Sequence, residues 1–251
     1  VKAQLQIQGK GFHLDLHKPH DISLPIHETG ARAWYVEPLK IEPVRTDEFI
    51  GEVRSGGSVN FRNIFFNPHA HGTHTECLGH ITPEIYSVSE QVRTFMHLAQ
   101  LISISPENIE EDWVILPAHI PDKCIFSEIQ SLIIRTTPNS PEKKSRNYSN
   151  TNPPYISAEA MQKIVDLGIR HLLIDQPSVD REVDGGALRA HRIFWGVPHN
   201  PRWDCSITEM IYVADNIPDG CYLLNLSFPA FINDASPSRP LLFELHKATE
   251  K

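Results

Sequence analysis

The sequence predicts a single α/β domain built on a mixed β-sheet and flanked by helices. Three observations carry that prediction. The stretch ISAEAMQKIVDLGIRHLLIDQPSVD (156–180) reads as one amphipathic helix running into one buried strand. Short apolar runs bounded by proline and glycine recur along the rest of the chain, as the strands of a sheet do. No internal repeat divides the 251 residues, and a chain of this length buries a sizeable core as one unit, so residues 1–251 are taken as one domain.

In chain order, FHLDLHKPHDISLPIHETG (12–30) predicts a strand followed by an exposed turn at Pro19, Pro25 and Gly30. Residues 31–53 place aromatic and β-branched residues between prolines and predict short strands or a flap. SVNFRNIFFNPHAHGTH (58–74) is a strand candidate feeding straight into a histidine-rich stretch, a junction where a rigid element aims a loop. SVSEQVRTFMHLAQLISISPEN (87–108) changes from helical to extended spacing, and 121–140 ends in the strand SLIIRT. PEKKSRNYSNTNPP (141–154), with three prolines and low hydrophobicity, predicts a long exposed loop. Next, Ser157 caps a helix presenting Ala160, Met161, Ile164, Val165 and Leu167, and Gly168 ends it. HLLID is then a buried strand with Asp175 at its carboxyl end. Further pieces flank a Pro-Asp-Gly turn, and RPLLFELHK supplies a final strand.

Bulk properties narrow the function classes. With 23 basic against 31 acidic residues the net charge is -8, and no Lys/Arg run marks a nucleic-acid surface. No stretch approaches the roughly 18 apolar residues that span a bilayer. Cys77, Cys124, Cys205 and Cys221 are spaced too widely for a metal knuckle or a disulfide framework and read as buried thiols. A cytoplasmic location is expected, while Val1 in place of Met leaves room for a processed segment upstream.

HAHGTHTECLGH (69–80) is the densest chemistry in the chain. In an extended segment His74 and Glu76 point the same way; on a helical turn His71 and His74 would be neighbours instead. Gly72 favours a tight turn, and a second turn across Cys77–Gly79 would return His80 to the same cavity. Imidazoles with a carboxylate form a nitrogen/oxygen set suited to Zn²⁺, Mn²⁺ or Fe²⁺. Further ligands must come from afar: Asp175, Asp180, Asp184, His191, His199, Asp204 or Glu209. The competing reading is a hydrogen-bonded polar loop without a metal, and lone histidines such as His97 and His119 read as core or surface residues.

The order of these motifs resembles the cyclase-like metal-dependent hydrolases, a family that includes bacterial kynurenine formamidases. GTH followed by an acidic residue and then a histidine, DISLPI (21–26), the helix–strand unit ending at Asp175 and Ser178, HRIFWG and the closing ITEMIYV…SPSRPLLFEL all fall in the family's order over residues 20–245. The resemblance implies a mixed, partly barrel-like sheet, assembly as a homodimer or homotetramer, and hydrolysis of a small amide, formyl anilide, cyclic amide or lactone. A divalent ion, zinc or manganese, is the implied cofactor. By position, His74, Glu76, His191 and Glu209 become the metal ligands, with Glu76 in the place of a bridging aspartate. His80 becomes the general acid/base, with Glu76 acting beside it on the water.

Two departures alter that picture. The family's histidine two residues before the glycine of GTH is Ala70 here, flanked by His69 and His71. Glu76 for aspartate moves the carboxylate by roughly 1–1.5 Å, where metal–ligand distances tolerate about 0.2 Å. One ion rather than two is therefore expected, and the alternative is a diverged, non-catalytic small-molecule binder. CLGH also replaces Ala-Pro-x-His, which predicts a looser turn at Gly79. Trp34, Tyr35, Phe65, Phe66, Phe194, Trp195 and Trp203 are candidates to stack an aryl substrate such as N-formylkynurenine, an intermediate of tryptophan catabolism; each also fits plain packing. Asp175 and Ser178 are expected to hold the loop after the central strand.

Overall fold

The computed structural model describes residues 1–248. Its centre is a mixed sheet whose strands lie in the order Ala235–Pro237, His74–Glu76, Ser206–Glu209, His171–Ile174, Ser131–Thr136, Met96–Ile104, Gly220–Ser227, Arg239–Glu244 and His20–Asp21. The four strands from Ser206–Glu209 to Met96–Ile104 run parallel, and antiparallel strands flank them on both sides. The sheet is curled into a partial barrel. SLIIRT and HLLI are buried at every position, as strands covered on both faces must be.

Alternation along these strands divides the core in two. Leu132, Ile134, Leu172 and Ile174 pack on one face with Ala160, Met161, Ile164, Phe194 and Trp195 of the helices. Ile133 and Leu173 point the other way, onto Ile22, Leu101, Leu224 and Leu242. Each such side chain contributes about 1.5–3 kcal/mol on full burial. The helix Ala158–Asp166 begins where the sequence predicts, with Ser157 Oγ accepting from Ala160 N at 3.1 Å. Gly168 then turns the chain toward the next strand at φ +78°.

Smaller sheets decorate this frame. Lys2–Ile7, Lys10–Asp15 and His246–Lys247 form one, and Lys40–Pro43 pairs with Arg62–Phe65 in a hairpin whose Phe61, Ile64 and Phe65 are exposed. RPLLFELHK divides into Arg239–Glu244 and His246–Lys247, which join different sheets.

Two expectations need correction. Residues 141–154 are not simply an exposed loop: Lys143 and Tyr148 are buried. Lys143 Nζ reaches Asp175 Oδ2 at 2.8 Å and the Thr136 carbonyl at 2.7 Å, so one charge pulls the polar segment inward. The cysteines are all free thiols, but only Cys77 and Cys205 are fully buried. His97, read as a core or surface residue, is core: its ring lies 4.1 Å from that of His171, which is two strands away across Ser131–Thr136, and His171 Nδ1 sits 2.9 Å from Ser206 Oγ. Burial pushes the His171 imidazole down to about 3, with His97 and Arg170 adding repulsion, and burial lowers His97 as well.

Candidate metal centre

The site is assembled by sheet register. His74–Glu76 is extended and lies between Ser206–Glu209 and Ala235–Pro237, with His74 directly opposite Glu209 and Glu76 opposite Ile207. His74 and Glu76 share a face because they are two residues apart. His74 Nε2 lies 3.4 Å from Glu209 Oε2. The short helix Arg189–Trp195 brings in His191, whose Nε2 is 3.1 Å from Glu76 Oε1 and 3.7 Å from Glu209 Oε1. A single 3-10 turn at Leu78–Ile81 returns His80, placing its Nδ1 3.9 Å from Glu76 Oε2. His74, Glu76, His80, His191 and Glu209, spread over 136 positions from 74 to 209, therefore face one centre.

Gly79 corrects the expectation of a looser turn. Any Cβ there would collide with the carbonyl oxygen of Tyr86, so the turn is tight because the residue is glycine.

The flanking histidines part company. His71 turns away: its Nδ1 accepts from Asn67 N at 3.0 Å and its Nε2 donates to the Glu37 carbonyl at 2.9 Å. His69 turns in, with Nδ1 3.0 Å from Glu76 Oε2 and Nε2 2.7 Å from Asp234 Oδ2. Asp234 also lies 3.4 Å from His80 Nδ1. Nothing in the sequence spacing marks Asp234; its only signal is a short polar cluster before the proline-bearing strand Ala235–Pro237. Ala70 is buried and contributes no donor.

The other distant candidates serve elsewhere. Asp175 holds Lys143 and Thr136, Asp184 accepts the backbone N–H of Gly186 and Leu188, Asp204 pairs with Arg170, and His199 is exposed. Asp180 supports the centre from behind. Its carboxylate accepts from Ala190 N and His191 N and lies 2.6 Å from His191 Nδ1, which fixes that ring. Ser178 Oγ accepts from Asp180 N at 3.1 Å.

The charged groups of the centre set one another's ionisation. Burial alone would raise the Glu76 carboxyl, but the imidazoles of His80, His191 and His69 hold it well below the usual carboxylate range. Burial opposes charge on His191 too, yet Asp180, Glu76 and Glu209 push it up to about 10. Asp234 and Glu76 likewise raise His69 to about 10 against its burial. Asp234 is itself lowered by His69 and His80.

Among the described residues four buried side-chain atoms are left without a hydrogen bond; two are the hydroxyls of Ser131 and Ser238, and the two that belong to the centre are His74 Nε2 and Glu76 Oε2. Both have carboxylate or imidazole neighbours within 3.4 Å, but out of line. An unsatisfied buried polar group costs about 1–3 kcal/mol, and a cation at the point both atoms face would satisfy them together. The mixed nitrogen and carboxylate donors fit Zn²⁺ or Mn²⁺ better than an all-oxygen ion such as Ca²⁺. Three overlapping donor triplets, His69–His74–Glu76, Glu76–His80–His191 and His69–His80–Asp234, have the reach to hold one.

A cavity of about 330 Å³ opens above these donors, with His80, His191 and Glu209 at its floor and Trp34, Arg181 and Leu188 in its walls. Of the predicted aromatics only Trp34 lines it. Tyr35 is exposed and hydrogen-bonds Glu182; Phe65 is on the outlying hairpin, close to Phe66; Trp203 stacks edge-on against Tyr86. Phe194 and Trp195 are core, Trp195 lying 5.3 Å from the His191 ring.

The family model described as "Putative cyclase" matches residues 20–181. The chain belongs to this cyclase family. No curated protein matches it. Among solved structures, a predicted metal-dependent hydrolase from Bacillus stearothermophilus is 18% identical, with TM-score 0.56 over 90% of this chain and 98% of that one. An isatin hydrolase bound to the product analogue thioisatinate is 14% identical, with TM-score 0.64 over 90% and 92% of the two chains. Isatin hydrolase A from Labrenzia aggregata, bound to benzyl benzoate, is 16% identical, with TM-score 0.62 over 90% and 93%. At these identities the likeness is one of fold, and it extends the cyclase architecture beyond residue 181 to nearly the whole chain.

Proposed function

We propose that this cyclase-family chain is a metal-dependent hydrolase of a small amide-type substrate, with His74, Glu76, His191 and Glu209 holding one divalent ion, zinc ahead of manganese. The observation that carries the reading is a pair of orphaned buried atoms beneath an open cavity: His74 Nε2, 3.4 Å from Glu209 Oε2, and Glu76 Oε2, on the carboxylate whose other oxygen meets His191 Nε2. When bound, such an ion supplies Lewis acidity to a carbonyl and makes water a stronger acid.

The chain's own groups do the rest. His80 stands at the cavity floor, partly exposed, with Nδ1 toward Asp234 and Glu76; Nε2 is left to take a proton from water and return it to the leaving nitrogen or oxygen. Glu76, held ionised by three imidazoles, keeps negative charge beside that proton transfer. Asp180 locks the His191 ring so that Nε2 points inward. Trp34 and Leu188 give one wall an apolar surface, and about 330 Å³ accommodates a one- or two-ring aryl amide.

Within this class we favour a formyl anilide of the N-formylkynurenine kind, which would place the protein in tryptophan catabolism; a cyclic amide or a lactone uses the same groups. The exposed apolar hairpin at Phe61, Ile64 and Phe65 supports assembly as a homodimer or homotetramer, and a cytoplasmic location is part of the same proposal. No described helix is long and apolar enough to cross a membrane, and the acidic net charge argues against a nucleic-acid partner.

The test is turnover of N-formylkynurenine, isatin and an aryl lactone by Zn²⁺- and Mn²⁺-loaded protein, with metal content measured in parallel. Stoichiometric ion with turnover that His80→Ala abolishes supports the proposal. Protein that takes up no ion and hydrolyses none of the three overturns the proposal and leaves the non-catalytic alternative.

A further inference from the structure

Ala70 removes one expected donor, and the geometry points to its replacement: we infer that His69 is a ligand of the metal centre, held in place by Asp234. The inference rests on the metal-binding reading above and concerns residues that no motif assigns.

A histidine ready to coordinate has one ring nitrogen committed to an acceptor and the other aimed at the ion's position. Three rings here are arranged in that way. His74 has Nδ1 3.2 Å from the Gly72 carbonyl and Nε2 unpartnered. His191 has Nδ1 2.6 Å from Asp180 Oδ2 and Nε2 on the Glu76 side. His69 has Nε2 2.7 Å from Asp234 Oδ2, while Nδ1 sits 3.0 Å from Glu76 Oε2, the carboxylate oxygen that has no hydrogen bond. Asp234 thus does for His69 what Asp180 does for His191. His71 is the control within the same loop, because both of its nitrogens are spent on backbone groups.

The loop explains how a one-residue shift is absorbed. Asn67 Oδ1 accepts from His69 N at 2.9 Å, and the Asn67 carbonyl accepts from both Ala70 N and His71 N. That turn carries the chain across position 70 with Ala70 buried and lays the His69 ring 5.4 Å from His74 and 4.3 Å from His80. Ala70 lines the cavity but ends in a methyl group, whereas His69, on the same lining, brings an imidazole to the donors.

The experiment loads metal-free protein with Co²⁺ and reads its visible and near-ultraviolet absorption. His69→Cys is expected to add a thiolate-to-cobalt charge-transfer band that wild type lacks, and His71→Cys is expected to add none. In titrations with Zn²⁺, Asp234→Asn is expected to weaken affinity about 10–100-fold. Wild-type affinity in His69→Gln, together with no new band in His69→Cys, overturns the inference and leaves the proposed function standing. Wild-type protein that binds neither Co²⁺ nor Zn²⁺ overturns both. Urea-unfolded wild type, whose own four free cysteines are exposed, measures any band that misfolding alone would give, and the His69→Cys band is read against it.

Discussion

The close pair His97–His171, with rings tilted at 43°, makes the acid side of the stability curve predictable. Both rings are buried in the sheet, and burial holds His171 at about 3, against about 6.5 for an imidazole in the unfolded chain. Between those values the unfolded state binds the proton and the folded state does not, so stability rises with pH across the window and falls as acid is added. The slope for one such group is about 1.4 kcal/mol per pH unit, which amounts to about 2 kcal/mol lost to His171 alone by about pH 5. His97 acts in the same direction. The perturbation is His171→Gln, which keeps a polar group near Ser206 but cannot titrate. Urea unfolding of metal-free wild type and variant is followed at about pH 7.5 and about pH 5. The variant starts lower because packing is lost, but its further fall on acidification is expected to be smaller than wild type's by about 2 kcal/mol. His69 and His191 titrate in both proteins and cancel in the comparison. Equal falls in the two proteins would refute the assignment of a buried neutral ring at His171.

Other outcomes follow from the centre and its supports. Asp180→Asn is expected to lower Zn²⁺ affinity about 10–100-fold while leaving the circular dichroism spectrum unchanged, since it loosens His191 rather than removing a donor; calorimetric titration measures the loss. Zn²⁺ at about 1,000 times its dissociation constant is expected to stabilise the fold by about 4 kcal/mol, with a chelator reversing the gain in a thermal melt. Uptake near neutral pH is expected to expel about two protons per ion, one each from His191 and His69, whose raised values of about 10 keep them charged until an ion arrives, so affinity climbs as pH rises toward that value. Binding heats that do not vary between buffers of different ionisation enthalpy would contradict this. Lys143→Ala strands the buried Asp175 carboxylate and is expected to cost about 3–5 kcal/mol in urea unfolding, with Zn²⁺ affinity unchanged.

Local rules made much of the fold legible. The Ser157 cap, the helix face at Ala160, Met161 and Ile164, and the strands SLIIRT and HLLI all follow from propensity and periodicity within one segment. The face shared by His74 and Glu76 also follows from period-2 alternation, once the segment is extended. Long-range pairing was harder to read. Asp234 reaches the centre only because Ala235–Pro237 pairs with His74–Glu76 across 158 intervening residues, from 77 to 234. The choice between His69 and His71 depends on which ring the Glu37 carbonyl captures, a contact between separate loops. Residues 141–154 look solvent-bound in composition, yet one lysine finding one buried aspartate folds them inward.

The ladder between His74–Glu76 and Ser206–Glu209 also governs how this scaffold can diversify. Donor spacing is inherited from backbone pairing, so insertions near Trp34 or in 181–188 can reshape what the cavity admits without disturbing the spacing of His74, Glu76 and Glu209. The vulnerability runs the opposite way: deleting one residue inside that three-residue strand would flip its neighbours through the sheet. New specificities are a matter of many small edits at the rim, whereas loss of chemistry is a single step.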